Sequence, residues 1–283
     1  MAVVYALLNA VMISGSNIVG GLAVRRLPLP IVVAIAGPAS IVVAIMLAPL
    51  VGGNPTAASF WIGFAAGVFG GAGLPVAYLA FSIGPVGIAG AVLAVSSTAL
   101  LTFFGVLGGA ALTPLRAIGL VLCVMAILLV TYRPPVDGER VSPRGPLLAM
   151  LAAVIFTGFV VTINTVPASE GMWPLVGARM GVTLVAVVML TYFLVRSGRR
   201  ATAPTWRRVH LLIPVAAGVF DTLGNLFLLL ALQAGDLVLL ALFAPAAPVF
   251  TAIIGRVFLG EFMTRWQIVG LVVASAALVL ASL

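Results

Sequence analysis

The chain has 283 residues, of which 63% are apolar and only 7% charged, and its mean hydropathy is +1.32. Soluble domains are about 45–50% apolar and about 25% charged, so this composition excludes a soluble protein. The single cysteine, Cys123, and the single histidine, His210, exclude disulfide frameworks, Cys/His metal cages and Ser/His/Asp triads. We therefore expect a membrane protein that is not an enzyme and that binds no cofactor.

Hydrophobic runs of about 20 residues, the length that crosses a bilayer, follow one another with short breaks at proline, glycine and charged residues. Each run is expected to be a helix, because a helix satisfies its own backbone hydrogen bonds in lipid. The predicted transmembrane helices span residues 3–24, 28–50, 59–81, 85–108, 115–132, 146–166, 174–195, 209–232, 236–258 and 265–283. The fold class is therefore all-α with ten transmembrane helices.

One long polar connection, residues 133–145, follows the fifth span and divides the chain into residues 1–132 and residues 146–283. The loops after odd-numbered spans carry twelve arginines, whereas the even-numbered loops carry only Arg116. The positive-inside rule then predicts cytoplasmic odd loops and both termini outside, in a multi-pass protein of the cell membrane. The arginines separate hydrophobic segments rather than cluster on a soluble face, so no nucleic-acid partner is expected.

The two halves of the chain repeat each other. A shift of 151 residues aligns three consecutive spans without a gap, for example residues 65–69 with residues 216–220. Shifts of 143 and 144 align the first span with the sixth and the second with the seventh more weakly. Because each half has five spans, the second copy enters the membrane from the opposite side. Such inverted repeats are typical of alternating-access transporters with a binding site near the bilayer midplane.

The second half carries a proline in its penultimate helix, a Gly-Glu pair at the end of that helix and an arginine in its second helix. These features are Pro248 within residues 244–252, Gly260, Glu261, Gly270, the segment 231–235 and Arg179. On these residues, nearly the whole chain resembles the drug/metabolite transporter superfamily, EamA type. The first half lacks three of the features: Ser97, Ala110 and Ile35 stand at the positions of Pro248, Glu261 and Arg179.

The resemblance implies a secondary transporter that exports small metabolites such as amino acids by alternating access. It also implies cytoplasmic termini, opposite to the arginine distribution. A nucleotide-binding loop is absent because the chain has no lysine. Two other classes stay open: a cation or divalent-metal transporter or channel, which needs clustered acids, and a membrane scaffold or lipid-handling protein, which needs no polar site. The oligomeric state, monomer or homodimer, is also open.

Only two ionisable residues, Arg179 and Asp221, lie clearly within predicted spans, where charge is costly and usually functional. Asp221 lies one turn before Asn225, so both share a helix face, and Asp221 is our candidate for proton coupling. Arg179 either binds a substrate carboxylate or caps helix ends and contacts lipid. An Arg179–Asp221 pair that only stabilises the second half is an equally open interpretation.

Uncharged polar residues inside spans form the remaining candidates for substrate binding. Residues seven apart share a helix face, and such side chains hydrogen-bond either to a substrate or to neighbouring helices, the latter worth about 0.6 kcal/mol each. The candidates are Asn9, Ser16, Tyr78, Ser96, Ser97, Thr157 and Asn164, together with Arg179 and Asn225.

Glycines four residues apart, Gly63, Gly67 and Gly71, predict a close approach of the third span to another helix. We interpret them as packing residues. Pro75, in the same span, and Pro245 and Pro248, in the ninth span, are predicted sites of bending, since proline interrupts the helical hydrogen bonds.

Overall fold

The computed structural model describes residues 1–24, 26–83, 86–131, 143–197, 208–235, 237–243, 246–247, 250 and 265–282. In these residues the regular structure is helical throughout and contains no strand. The α-helices are α1 (Ala2–Val24), α2 (Leu29–Val51), α3 (Ala57–Ile83), α4 (Val86–Leu107), α5 (Pro114–Thr131), α6 (Arg144–Asn164), α7 (Trp173–Ser197), α8 (Arg208–Ala234), α9 (Leu237–Leu242) and α10 (Arg265–Ser282). A 3-10 turn at Ala168–Glu170 precedes α7.

The predicted all-α membrane fold is confirmed. Nine of the ten predicted spans agree with a helix to within two residues at each end, and the ninth is described only over α9. Within the described residues, six helices are long and apolar enough to cross a bilayer, and two shorter apolar helices lie within α4 and α5. The predicted linker lies largely outside the described residues, so the division of the chain there stays a prediction.

The directions of the helices follow from the residues that face each other. α3 packs parallel to α7, α2 packs parallel to α8, and α2 runs antiparallel to α7. The facing pairs are Gly63 with Pro174 and Gly67 with Ala178, then Gly218 with Ala36 and Thr222 with Ser40, then Gly37 with Thr183 and Gly53 with Glu170. Consequently α3 runs opposite to α8, and α2 opposite to α7. The predicted inverted repeat is therefore confirmed.

The contacts between helices also repeat. Each helix of the first half has its counterpart five helices later, and equivalent helices make equivalent contacts. The contact of α1 with α8 corresponds to that of α6 with α3, and the contact of α2 with α8 to that of α7 with α3. In the first pair, Gly15 lies against the ring of Phe220 just as Gly158 lies against Phe69. Gly15 and Gly158 differ by the predicted shift of 143, and Phe69 and Phe220 differ by the predicted shift of 151. Because most of the packing joins opposite halves, the two five-helix units interlock.

The shift between α2 and α7 needs correction. The equivalent contacts of Gly218 with Ala36 and of Gly67 with Ala178 set it at 142, rather than the 144 inferred from the sequence. The sequence match depended on prolines, alanines and glycines, which are frequent in these helices and therefore align at more than one shift. The counterpart of Arg179 in the first half is consequently Gly37.

Glycines let α3 and α7 touch through their backbones. A Cβ atom added at Gly63 or Gly67 would overlap the carbonyl oxygen of Pro174 or Ala178, and one added at Gly177 would overlap that of Phe60. Small residues at such seams allow the close packing that holds membrane helices together. The predicted packing role of these α3 glycines is confirmed.

Candidate functional site

An ion pair joins α7 and α8 inside the bundle. Nη1 of Arg179 donates to Oδ2 of Asp221, and its Nη2 lies 3.4 Å from the main-chain oxygen of the same residue. The Arg179 side chain is only 3% exposed, whereas that of Asp221 is 40% exposed. Asp221 lies at the middle of α8. Its partly exposed carboxylate, paired with the buried Arg179, is therefore expected near the bilayer midplane.

Two asparagines complete this group. Nδ2 of Asn225 donates to the main-chain oxygen of Asp221 at 2.8 Å and lies 3.3 Å from its Oδ1. From α1, Nδ2 of Asn9 donates to the main-chain oxygen of Gly224 at 2.8 Å. We call Asn9, Arg179, Asp221 and Asn225 the polar cluster. It joins one helix of the first half to two of the second, so a change there affects both halves.

The exposure of Asp221 is local. On the same face of α8, Ala217 one turn earlier and Leu228 two turns later are buried, as is the adjacent Thr222. A lipid-facing stripe would expose successive turns, and an ionised carboxylate in lipid is strongly unfavourable. This pattern points to a crevice between helices, rather than lipid, as the surroundings of the Asp221 carboxylate.

The first half has no equivalent charge. Gly37 and Gly70 stand at the positions of Arg179 and Asp221, and the space beside them is occupied by Thr183 and by Phe159 with Val182, respectively. The polar cluster is consequently a single site per chain, although the helices around it are duplicated.

Of the other predicted site residues, those whose side chains the structure describes are not brought into the polar cluster. Ser16 donates to the main-chain oxygen of Ala217 at 3.1 Å, a link between α1 and α8. Thr157 is buried, and its hydroxyl has no hydrogen-bond partner among the described residues. Ser96 and Ser97 are half-buried on α4. The side chain of Tyr78 lies outside the described part of the structure, as do Pro245, Pro248, Gly260 and Glu261.

A cavity of about 1030 Å³ opens at the end of the bundle where α1 begins and α4 and α6 end. Asn164, the last residue of α6, lines it together with Thr113, Thr165 and Arg116. Of the predicted site residues whose side chains the structure describes, only Asn164 reaches this cavity, and no member of the polar cluster does. The sequence predicted a midplane cavity, whereas this large cavity lies at a membrane surface.

Glu170 is a structural residue that sequence reasoning missed. Its carboxylate is 9% exposed and accepts hydrogen bonds from the backbone N–H of Thr56 at 3.0 Å, the Thr56 hydroxyl at 3.1 Å and the Ser59 hydroxyl at 2.9 Å. These donors lie at the start of α3, where a negative charge is favoured by the helix dipole. Glu170 thus binds the turn before α7 to the beginning of α3. The only local signal in the sequence was the Thr-x-x-Ser spacing at positions 56 and 59, which is typical of the start of a helix. This spacing does not show that Glu170 accepts hydrogen bonds there.

The described residues include no group of three or more His, Cys, Asp or Glu that could hold a metal ion. A search of curated proteins finds no match. Among solved structures, one titled "Crystal structure of protein" is similar to this chain with a TM-score of 0.77 and 18% identity, covering 100% of this chain and 98% of the other. This likeness supports the fold alone. Residues 143–283 match the model of the EamA-like transporter family. The inverted helical repeats and this match together show that the chain belongs to the EamA-like transporter family, within the drug/metabolite transporter superfamily.

Proposed function

We propose that this protein is a secondary transporter that moves small metabolites such as amino acids by alternating access, with the polar cluster as its midplane contact with substrate. The observation that carries the proposal is the Arg179–Asp221 pair, which lies in the middle of an interlocked inverted repeat and leaves its carboxylate open to a crevice. Ionisable residues within membrane-spanning segments are costly, face the bundle interior or a cavity, and usually mark a functional site.

Alternating access requires two arrangements of similar energy that expose the site to opposite sides. An inverted repeat supplies them, since exchanging the conformations of the two halves turns the molecule to face the other way. The backbone-to-backbone seam between α3 and α7 and the polar link from Glu170 to α3 favour these helices as a fixed frame. The cavity at the end of the bundle then serves as the entrance on that side, with Asn164 as an early polar contact.

Within this proposal, Asp221 also carries the proton-coupling role inferred from the sequence. A proton on Asp221 would remove the counter-charge of the buried Arg179, whose Nε already lacks a hydrogen-bond partner among the described residues. Uncompensated buried charge is costly, so protonation would favour a movement of α8 relative to α7, which is held by α3. This supplies a physical route from a proton gradient to a conformational change.

Transport into and out of liposomes tests the proposal. Purified protein is reconstituted, the liposomes are loaded with a labelled amino-acid mixture, and efflux is followed with and without a pH gradient. We expect efflux above that of protein-free liposomes, a response to the gradient, and loss of both in the double variant Arg179→Gln/Asp221→Asn, which removes both charges and leaves neither unpaired. Thr191→Val is the matched control, because Thr191 lies exposed on α7 and bonds only to its own helix. Efflux no faster than from empty liposomes would reject the transport function, and efflux indifferent to the gradient would reject the coupling.

A further inference from the structure

The polar cluster offers hydrogen-bond acceptors rather than donors. The amide nitrogens of Asn9 and Asn225 donate to the main-chain oxygens of Gly224 and Asp221, both at 2.8 Å. These bonds fix the orientation of each amide, because only the nitrogen can donate to a carbonyl. The two amide oxygens accept no hydrogen bond from the described residues. Together with the half-exposed carboxylate, they leave three acceptor groups at one level of the bundle.

Arg179 is not accessible in the same way. Its side chain is 3% exposed, Asp221 contacts both of its Nη atoms, and its Nε, without a hydrogen-bond partner in the described part of the chain, is buried out of reach of solvent. A ligand carboxylate would have to displace Asp221 and reach a buried group. It would also face the negative charge of Asp221 on the open side of the pair. The charge that a ligand meets in the crevice is therefore negative.

We propose that the polar cluster recognises the ammonium group of its substrate, which is accordingly a small molecule bearing a primary amine. This inference depends on the proposed function and narrows its substrate class. The ammonium has three donors and no acceptor, and it is bound by Oδ1 of Asp221 and the amide oxygen of Asn225. Asn9 of α1 is held beside them by its hydrogen bond to the main-chain oxygen of Gly224. Arg179 pairs with the Asp221 carboxylate on its buried side, so the role of Arg179 is to position Asp221. Binding of a substrate carboxylate by Arg179, suggested by the sequence, is replaced in this proposal.

A set of matched ligands distinguishes recognition of the substrate's ammonium group from recognition of its carboxylate. We would measure thermal unfolding of the detergent-purified chain with leucine, with isopentylamine, which lacks the carboxylate, and with 4-methylpentanoate, which lacks the amine. A second set consists of phenylalanine, phenethylamine and 3-phenylpropanoate. The amino acid and amine of at least one set should raise the unfolding temperature, and the carboxylates should not. Stabilisation by the carboxylates equal to that by the amines, or no stabilisation by any amine, would overturn the proposal.

Variants of the cluster test which residues are responsible. Asp221→Asn alone leaves Arg179 unpaired and endangers folding, so it is combined with Arg179→Gln, which removes both charges. Because a hydrogen bond to a charged group is worth about 1.5–3 kcal/mol, the dissociation constant of the amine should rise at least about tenfold in this double variant and in Asn225→Leu. Thr191→Val should bind the amine as the wild type does. Unchanged amine binding in the folded double variant would show that the amine binds elsewhere.

The role of Arg179 is tested by Arg179→Lys, which keeps a cation behind Asp221. This variant should still prefer amines to carboxylates. If Arg179 bound the substrate carboxylate directly, Arg179→Lys would instead bind the carboxylate ligands more weakly than the wild type does. Binding and flux distinguish this inference from the transport proposal. Amine binding without flux would overturn transport and leave the inference in place, and flux of carboxylates without amine binding would do the reverse.

Discussion

The seam between α3 and α7 predicts a large effect from one added methyl group. A Cβ atom at Gly67 would overlap the carbonyl oxygen and carbon of Ala178, which belong to the backbone and cannot turn aside. The two helices must therefore separate along the whole seam, including at Gly63 and Gly177. Forcing a methyl group into a packed interior costs about 1–3 kcal/mol, and a gap of about 0.5–1 Å loses roughly a quarter to a half of each contact across it. We expect Gly67→Ala to lower the free energy of unfolding by about 2–4 kcal/mol.

Gly21→Ala is the matched control, because Gly21 also lies within a helix but a Cβ atom there meets nothing within 4 Å. Alanine favours a helix over glycine by about 0.8–1 kcal/mol, so this variant should be as stable as the wild type or slightly more stable. Both are compared by SDS titration in mild detergent, followed by tryptophan fluorescence. If Gly67→Ala unfolds at the same SDS fraction as Gly21→Ala, the backbone contact of α3 with α7 does not hold the fold together.

Three further predictions rest on the structure and a fourth on the arginine distribution. Replacing Glu170 by glutamine removes the charged acceptor at the start of α3 and should lower the free energy of unfolding by about 1–3 kcal/mol in the SDS titration; stability equal to that of Thr191→Val would contradict this. Asp221→Asn leaves buried Arg179 unpaired and should destabilise by about 3–5 kcal/mol, and adding Arg179→Gln should recover most of the loss, whereas additive losses would show that the two side chains do not compensate each other. Cys123 is fully buried, so a maleimide should label it only after unfolding, and rapid labelling of the folded protein would place the thiol at an accessible surface. A fluorescent protein that matures only in the cytoplasm, fused to the C-terminus, should stay dark if the arginine distribution sets the orientation; fluorescence would support the opposite insertion.

The helices and their inverted repeat could be predicted because both leave signals that need no tertiary contact. A membrane helix satisfies its backbone internally, so hydrophobic length, together with breaks at proline, glycine and charged residues, located nine spans to within two residues. A duplication preserves residue order, and the pairs Gly15 with Phe220 and Gly158 with Phe69 recovered two of the three shifts. The third shift was wrong by two residues, since small residues repeat too often in α2 and α7 to fix a register.

For the candidate site, the sequence identified the charged residues, but only the structure shows how they are arranged. The sequence identified Arg179 and Asp221, because a charge within a hydrophobic span is expensive wherever it faces. Whether they pair, and which of them is exposed, depended on the rotation of α7 against α8, which is set by how α7 packs on α2 and α3 and how α8 packs on α1 and α2, and not by hydrophobic length. Glu170 shows the limit most clearly: in the sequence it is one acid in a loop, and only the approach of the start of α3 from the other half supplies the donors that define its role.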